Sequence, residues 1–327
     1  MLRLHFNDDD LHRVRVAPGF DPLWELVLAT TLLGNRDGTG VFGHWRAQAR
    51  AAVTGLPRWQ AQLLRRLAPG RGDFPDFLTP PQAVGGLEPG LQAVLSTPRA
   101  ALHRELTAVA SPPSWCRHLA EGDREALGAL EATLRACYAV LVAPYQARVD
   151  ALVHADIADR ARDLLHGGPH RLLAGLAPVL VWRPPILTAA YPVARDIHLA
   201  GRGLLLVPSV FCWRTPVTLI DPLLPPVVAY PVSRGPDWSA PGQGSFRGDS
   251  LAALLGATRA AALRAIADGC TTGQLAARLG ISAPTASEHA AILRESGLII
   301  SRRSRNQVLH SLAPMGTDLL GANPRGR

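Results

Sequence analysis

Apolar positions recur at two different periods along this chain. Between residues 21 and 165 they fall mostly at helical spacing, and between 179 and 230 they gather in short β-type runs. Asp21-Pro22-Leu23-Trp24-Glu25 is a helix start, with an acidic cap and Pro at the first helical position, and Leu23, Leu26, Val27, Thr30 and Leu33 form its apolar face. Further helices are expected over 44–52, 59–67, 91–95 and 99–110. Over 123–141 the apolar face runs through Leu127, Leu130, Leu134, Cys137 and Leu141. Pro144 breaks it, and 145–165 continues as a second long helix, charged on one side through Arg148, Asp150, Asp156, Asp159, Arg160 and Arg162. Residues 2–6 alternate and predict an edge strand.

After Gly167-Gly168 the texture changes. The runs 179–182, 186–188, 197–199, 204–207, 217–220 and 227–230 are separated by Pro and Gly and predict a small, mostly antiparallel sheet laid on the helices. Residues 233–250, rich in Ser, Gly and Pro, have linker composition. Gly242 and Gly244 within it do not make a nucleotide loop, because no strand pattern leads in and the third Gly is missing. The expected organisation is therefore α+β, mainly α. It comprises an N-terminal helical domain with a small antiparallel sheet (1–235), a linker (236–248) and a separate C-terminal domain (249–327).

That last assignment rests on the tail. Thr271 and Gln274 have the spacing of a capping box, Leu275, Ala276 and Leu279 make one apolar face, and Gly280 follows where a left-handed residue ends a helix. Ser282 caps a second helix with Pro284 in its first turn, and Ala286, Ala290 and Leu293 form its inward stripe. The opposite face shows Ala283, Ser287, Glu288 and Ala291, flanked by Thr285 and His289. Small and hydroxyl side chains there suit close approach to phosphates and base edges, and Glu288 suits a cytosine amino group or solvent. Gly297 closes the helix, 298–300 and 307–312 are the strands of a hairpin, and its tip reads Arg302-Arg303-Ser304-Arg305-Asn306. Three arginines on a tip make a phosphate clamp, and Asn306 tolerates positive φ. The order of two capped helices and a basic hairpin is that of a winged helix-turn-helix, which lays a helix in a DNA major groove.

These residues resemble the winged-helix DNA-binding domain of ArsR-type bacterial regulators. The resemblance is carried by Gln274-Leu275-Ala276, Leu279-Gly280, Ser282, Thr285, Ser287, His289, Leu293-Arg294 and Gly297-Leu298. It implies a homodimer whose second helices enter adjacent major grooves, and repression by promoter blocking. The tail departs from that family where Ala286 and Ala290 replace bulkier residues and where Ser304-Arg305 stands in place of a wing-tip Gly. Only Cys270 lies near the first helix, so the paired-cysteine metal motif is missing and metal sensing does not carry over. More loosely, the first 235 residues resemble an uncharacterised domain that precedes ArsR-type winged helices in some high-GC bacterial regulators. That likeness rests on Val16-Ala17-Pro18, Pro22-Leu23-Trp24-Glu25, and Leu199 to Leu204 with Pro208-Ser209-Val210-Phe211, and it brings no ligand or activity.

Composition adds bounds. The length, 327 residues, exceeds a typical single domain, and 47% hydrophobic content is ample for cores. The formal net charge of +8 suits an acidic partner such as nucleic acid, and from Gly248 onward there are nine Arg against five Asp or Glu. The chain contains no Lys, so every permanent cation is an Arg, whose fork pairs with phosphate bidentately. Cys116, Cys137, Cys212 and Cys270 stand far apart with no CxxC or Cys-His zinc spacing, which predicts reduced, buried thiols. The opening residues do not read as a signal peptide and no uncharged apolar run reaches membrane-spanning length, so a cytoplasmic protein without membrane association is expected.

No cofactor, metal site or catalytic group is expected. His154, Asp156 and Asp159 do not share one helix face, Ser287-Glu288-His289 point in different directions, and His198 and His310 read as structural. Trp24, Trp182, Trp213 and Trp238 read as core or domain-interface residues, with an apolar ligand pocket as the alternative. The expected partner is double-stranded DNA. Ala283, Pro284, Thr285, Ser287, Glu288 and His289, within 282–294, face the bases. Thr271, Thr272, Ser282 and Arg294 lie alongside, and Arg302, Arg303, Arg305 and Asn306 hold flanking backbone. For the N-terminal domain two readings stand open, a small-molecule sensor or a dimerisation and protein-interaction module. A third, an enzyme with a DNA-binding tail, requires a cleft of perturbed titratable groups that the sequence does not show.

Overall fold

Helix caps expected from the sequence set helix ends in the computed structural model, which describes residues 1–108, 114–235, 238–239, 250–267, 269–304 and 307–321, the side chains at 108, 114, 115, 250, 253, 304 and 321 excepted. In chain order the elements are β1 (Leu2–His5), α1 (Asp8–His12), β2 (Val14–Val16), α2 (Pro22–Gly34), α3 (Thr39–Val53), α4 (Arg58–Leu67), α5 (Leu87–Leu95), α6 (Arg99–Ala108), α7 (Ser114–Ala120), α8 (Arg124–Leu141) and α9 (Gln146–Ala174). Strands β3 (Leu180–Arg183), β4 (Ile186–Ala189), β5 (Arg195–His198), β6 (Leu204–Ser209), β7 (Val217–Thr218) and β8 (Val227–Pro231) follow. The tail contains α10 (Ser250–Leu255), α11 (Ala257–Ala265), β9 (Cys270–Thr271), α12 (Thr272–Leu279), α13 (Ala283–Glu295), β10 (Ile299–Ser304), β11 (Gln307–Leu312) and α14 (Pro314–Gly321). The chain divides into two compact units, Met1–Ala240 and Pro241–Arg327.

Most of the expected linker, 236–248, lies outside the described residues. Trp238, inside that range, is buried against Phe42, Tyr145 and Phe211 and donates from Nε1 to the Val41 carbonyl at 3.1 Å. Trp238 therefore belongs to the first unit's core.

Asp21 caps α2 by accepting from Leu23 and Trp24 N–H, both at 3.0 Å. Expected to bury one face, α2 is instead buried nearly all round, from Pro22 through Thr30 and at Leu32. A helix apolar on every side belongs at the centre of a core, and α2 lies there with α3, α4, α5 and α8 about it. Asp123 caps α8, and Pro144 interrupts the chain as a 3-10 turn over Ala143–Tyr145 before α9. Helix α9 breaks at Gly167 and Gly168 (the latter at φ +63) and resumes to Ala174, beyond the expected end at 165. By length and composition alone the stretch Arg124–Ala174 is apolar enough to cross a membrane. Leu130, Leu134, Leu141, Val149 and Val153 of that stretch are buried in the unit's own core.

The strand-rich half corrects the expected single antiparallel sheet. The six expected runs are strands, but they form two mixed sheets ordered β3-β4-β1-β5 and β2-β6-β8-β7. β1, expected at an edge, pairs antiparallel with β4 and parallel with β5; β6 pairs parallel with both β2 and β8. Local alternation shows which face of a strand is buried and nothing of its neighbours, which come here from nearly 200 residues away.

Three buried acids join the helices to the loops of the strands. Asp10 accepts Gly203 N–H at 3.0 Å. Glu25, in the first turn of α2, accepts Val210 and Phe211 N–H at 2.7 and 2.9 Å and the Ser209 hydroxyl at 2.8 Å. Asp76, in a 3-10 turn, accepts Ile220 and Asp221 N–H at 2.8 and 2.7 Å. Each satisfies backbone donors that would otherwise be buried unpaired. Burial pushes the carboxyls of Glu25 and Asp76 upward, against the lowering effect of those same N–H groups. The four cysteines are free and buried, and burial pushes Cys137 up to about 11 and Cys212 up to about 12.

Glu25→Ala leaves the Val210 and Phe211 amides without an acceptor. The expected loss is roughly 2–4 kcal/mol of stability in the first unit, against about 1 kcal/mol for Ser209→Ala. Urea denaturation followed by tryptophan fluorescence measures both, and equal small effects would show that the carboxylate does not bear this role.

Candidate nucleic-acid interface

The second unit builds its core from small residues. Ala260, Leu263, Ile266, Leu275, Ala286, Ala290, Leu293 and Leu298 are buried together, with Ala286 at 0% and Ala290 at 2% exposure. The Ala side chains on α13 let it pack closely against α11 and α12. Thr271 Oγ1 accepts from Gln274 N–H at 3.3 Å and Gln274 Oε1 accepts from Thr271 N–H at 2.9 Å, which completes the capping box. Gly280 is left-handed at φ +66, where a side chain would be strained, and it turns the chain from α12 into α13. Ser282 then caps α13 by accepting from Thr285 N–H at 3.3 Å, with Pro284 in the first turn.

With Ala286, Ala290 and Leu293 turned inward, α13 presents Ala283, Pro284, Ser287, Glu288 and Arg294 as exposed residues, and Thr285, His289 and Ala291 are half-buried beside them. Several of the residues expected to meet DNA also have internal partners. Thr271, Ser282 and Thr285 hold the caps, with the last two hydroxyls 2.8 Å apart. Thr271 Oγ1, which accepts in its cap, keeps its proton for an outside acceptor such as a phosphate, whereas Ser282 and Thr285 spend one of their two hydroxyl protons on each other. Thr272 Oγ1 lies 3.0 Å from His310 Nε2. His289 Nδ1 is sealed from solvent with no partner among the described residues. Arg294 pairs with exposed Glu295 at 3.8 Å, a weak constraint in water.

The hairpin follows Gly297 (φ +72), with β10 and β11 antiparallel from Ile299↔Leu312 to Ser304↔Gln307. Arg302 and Arg303 are exposed on it. Arg305 and Asn306, expected at its tip, lie outside the described residues. A third strand that periodicity does not show, β9, pairs with β11 through Leu309↔Thr271 and His310↔Cys270. It joins the hairpin to the start of α12.

His310 is the residue that matters most here beyond those expected at the interface. It is 3% exposed, its Nδ1 lies 2.8 Å from Ser301 Oγ on β10, and its Nε2 reaches Thr272 at the start of α12. The ring thus bridges hairpin and helix. Arg278 also acts internally, donating to the Ala265 carbonyl at the end of α11 at 2.6 Å.

Among the described residues, no three His, Cys, Asp or Glu side chains are grouped to hold a metal ion. His198, on β5, stacks on His5 at 4.4 Å, and His154 pairs with Asp150 one helical turn away. Trp24 and Trp238 are core residues, while Trp182 and Trp213 are partly buried.

Residues 254–302 match the family model of a helix-turn-helix domain. The match runs from the end of α10 to the first part of β10 and supports a DNA-binding regulator. Neither the curated proteins nor the solved structures contain a match to the chain.

Burial, then the nearby Arg294 cation, holds the His310 imidazole below its ordinary 6.5. The unfolded chain therefore binds this proton more readily than the folded unit. His310 leaves stability unaffected above about pH 6.5, where both states are neutral, and lowers it as pH falls below that value. In wild type, hydrogen exchange at α12 and β11 amides should accelerate from pH 7 to pH 5 after correction for intrinsic rates. In His310→Gln the pH dependence should be flatter, and an unchanged slope would remove His310 as its source.

Proposed function

We propose that this chain is a homodimeric transcriptional regulator that inserts α13 into the DNA major groove and lays the β10–β11 hairpin, as a wing, along the flanking backbone. The observation that carries this reading is the division of α13 into a buried stripe of Ala286, Ala290 and Leu293 and an exposed face of Ala283, Pro284, Ser287 and Glu288. Side chains this small allow the helix axis close to base edges, where the Ser287 hydroxyl donates to or accepts from the base it faces. Arg302 and Arg303, with Arg305 beyond them, contact phosphates, while Thr271 and Thr272 approach the backbone from the start of α12. Half-sites lie about one helical turn apart or a multiple of it. Promoter blocking is the proposed mode, by the resemblance to ArsR-type winged helices, and the cytoplasm is the proposed compartment.

We assign the first unit a sensing role, with an extended dimer contact as its alternative. A ligand there shifts the DNA-competent population only through different affinities for two states of the dimer. Catalysis is not part of this reading. The four cysteine thiols are held above their ordinary range by burial, which disfavours the nucleophilic thiolate.

Arg303→Ala combined with Arg305→Ala should weaken binding to all duplexes and reduce the salt slope by about one unit for each phosphate no longer neutralised. Ser287→Ala should change the ranking among operators selected from genomic DNA. An unchanged salt slope excludes the hairpin from the interface, and a uniform loss for Ser287→Ala excludes base readout at that position.

A further inference from the structure

One cavity of the first unit combines a largely apolar lining with a carboxylate oxygen that is unpartnered among the described residues. It measures about 280 Å3 and is lined in part by Pro80, Pro81, Pro98, Pro225 and Pro226. Proline holds its own φ and has no N–H, so five prolines give a wall that is stiff and poor in backbone donors. Phe77, Leu205, Leu219 and Leu224 also line it. A lining of this kind holds water poorly and remains open to an apolar occupant.

The polar groups of the lining are mostly committed elsewhere. Asp76 is spent on the Ile220 and Asp221 amides. Arg202 donates to the carbonyls of His198, Leu199, Pro222 and Leu224. Arg104 is ion-paired with Asp221. Glu105 differs: its Oε2 accepts Phe77 N–H at 2.7 Å, and its Oε1 is neither sealed from solvent nor partnered among the described residues. With Asp76 on amides, Arg104 on Asp221 and Arg202 on carbonyls, the charges left around the lining are Glu105 and the exposed Arg15, opposite in sign, so the cavity does not call for a strongly charged occupant.

We propose that this cavity binds a compact, uncharged, apolar molecule bearing one hydroxyl, with the hydroxyl donating to Glu105 Oε1. The proposal deepens the sensing role given to the first unit and rests on that reading for its regulatory meaning, but not for the binding itself. An apolar cavity of about 150 Å3 accepts benzene, so a fused two-ring skeleton suits one roughly twice that size. The occupant's hydroxyl gives Glu105 Oε1 a donor, and the proline wall limits the ordering cost of binding.

The test uses the full chain without DNA and three probes of one skeleton: 2-naphthol, naphthalene and naphthalene-2-sulfonate. Calorimetry should show 2-naphthol bound at one site. Naphthalene should bind about tenfold more weakly for want of one hydrogen bond, and the sulfonate more weakly still. Ala101→Trp, which fills the cavity from α6, should abolish binding while circular dichroism stays that of wild type. Leu224→Trp fills it from another wall, should Ala101→Trp not fold. Absence of 2-naphthol binding overturns the proposal, as does equal affinity for all three probes or undiminished binding in a folded cavity-filling variant. Operator affinity with and without 2-naphthol then separates the two claims: probe binding that leaves DNA affinity unmoved keeps the site and removes its regulatory meaning.

Discussion

Carboxylates held away from water against backbone amides are the constraint on which the first unit depends. The loops of its strands run into the protein interior, where a free N–H costs as much as a missing hydrogen bond. Asp10, Glu25 and Asp76 accept those N–H groups from the helical side, at Gly203, at Val210 and Phe211, and at Ile220 and Asp221. Each acid gives up hydration to do so, and the return is geometric. Residues 203–221 are tied at three points, to α1, α2 and the turn at Asp76, in addition to the backbone ladder between β6 and β2. The helical and strand-rich halves thereby form one folded body.

The second unit is built on the opposite economy, with short-range capping and little buried charge. Its helix ends are set by partners three residues away, Thr271 with Gln274 and Ser282 with Thr285. Its core is thin, since Ala260, Ala262, Ala286 and Ala290 offer one methyl each. A core of this kind stabilises less per residue than one of Leu and Phe, so the bridge from Ser301 through His310 to Thr272 carries a larger share of the hairpin's attachment.

This contrast explains how much could be read from the amino acids alone. Asp21, Asp123, Thr271, Gly280 and Ser282 act through neighbours a few positions away, and their helices begin or end as expected. The candidate face of α13 was legible for the same reason: a 3.6-residue period divides Ala286, Ala290 and Leu293 from Ser287 and Glu288. What depends on distant chain was not legible. Two mixed sheets replaced one antiparallel sheet because β1 and β2 pair with strands far along the sequence. Helix α1 escaped notice because Asn7 and Asp10 form a capping box with Asp in place of the usual Glu or Gln. Strand β9 is two residues long, and His310 gained its role only when that strand brought Thr272 beside the hairpin. A single Glu inside the otherwise apolar Leu23–Leu28 run was the available sign of a buried acid, but its partners lie more than 180 residues on.

The sealed thiols have a practical consequence. A thiol closed off from solvent meets an alkylating reagent only when its surroundings open, so labelling becomes a clock for local opening. Cys137 and Cys212 lie in the core around α2, and Cys270 lies in the small core of the tail. The wild-type chain thus carries native reporters in both units, and mass spectrometry of alkylated peptides can time their breathing separately without any added label.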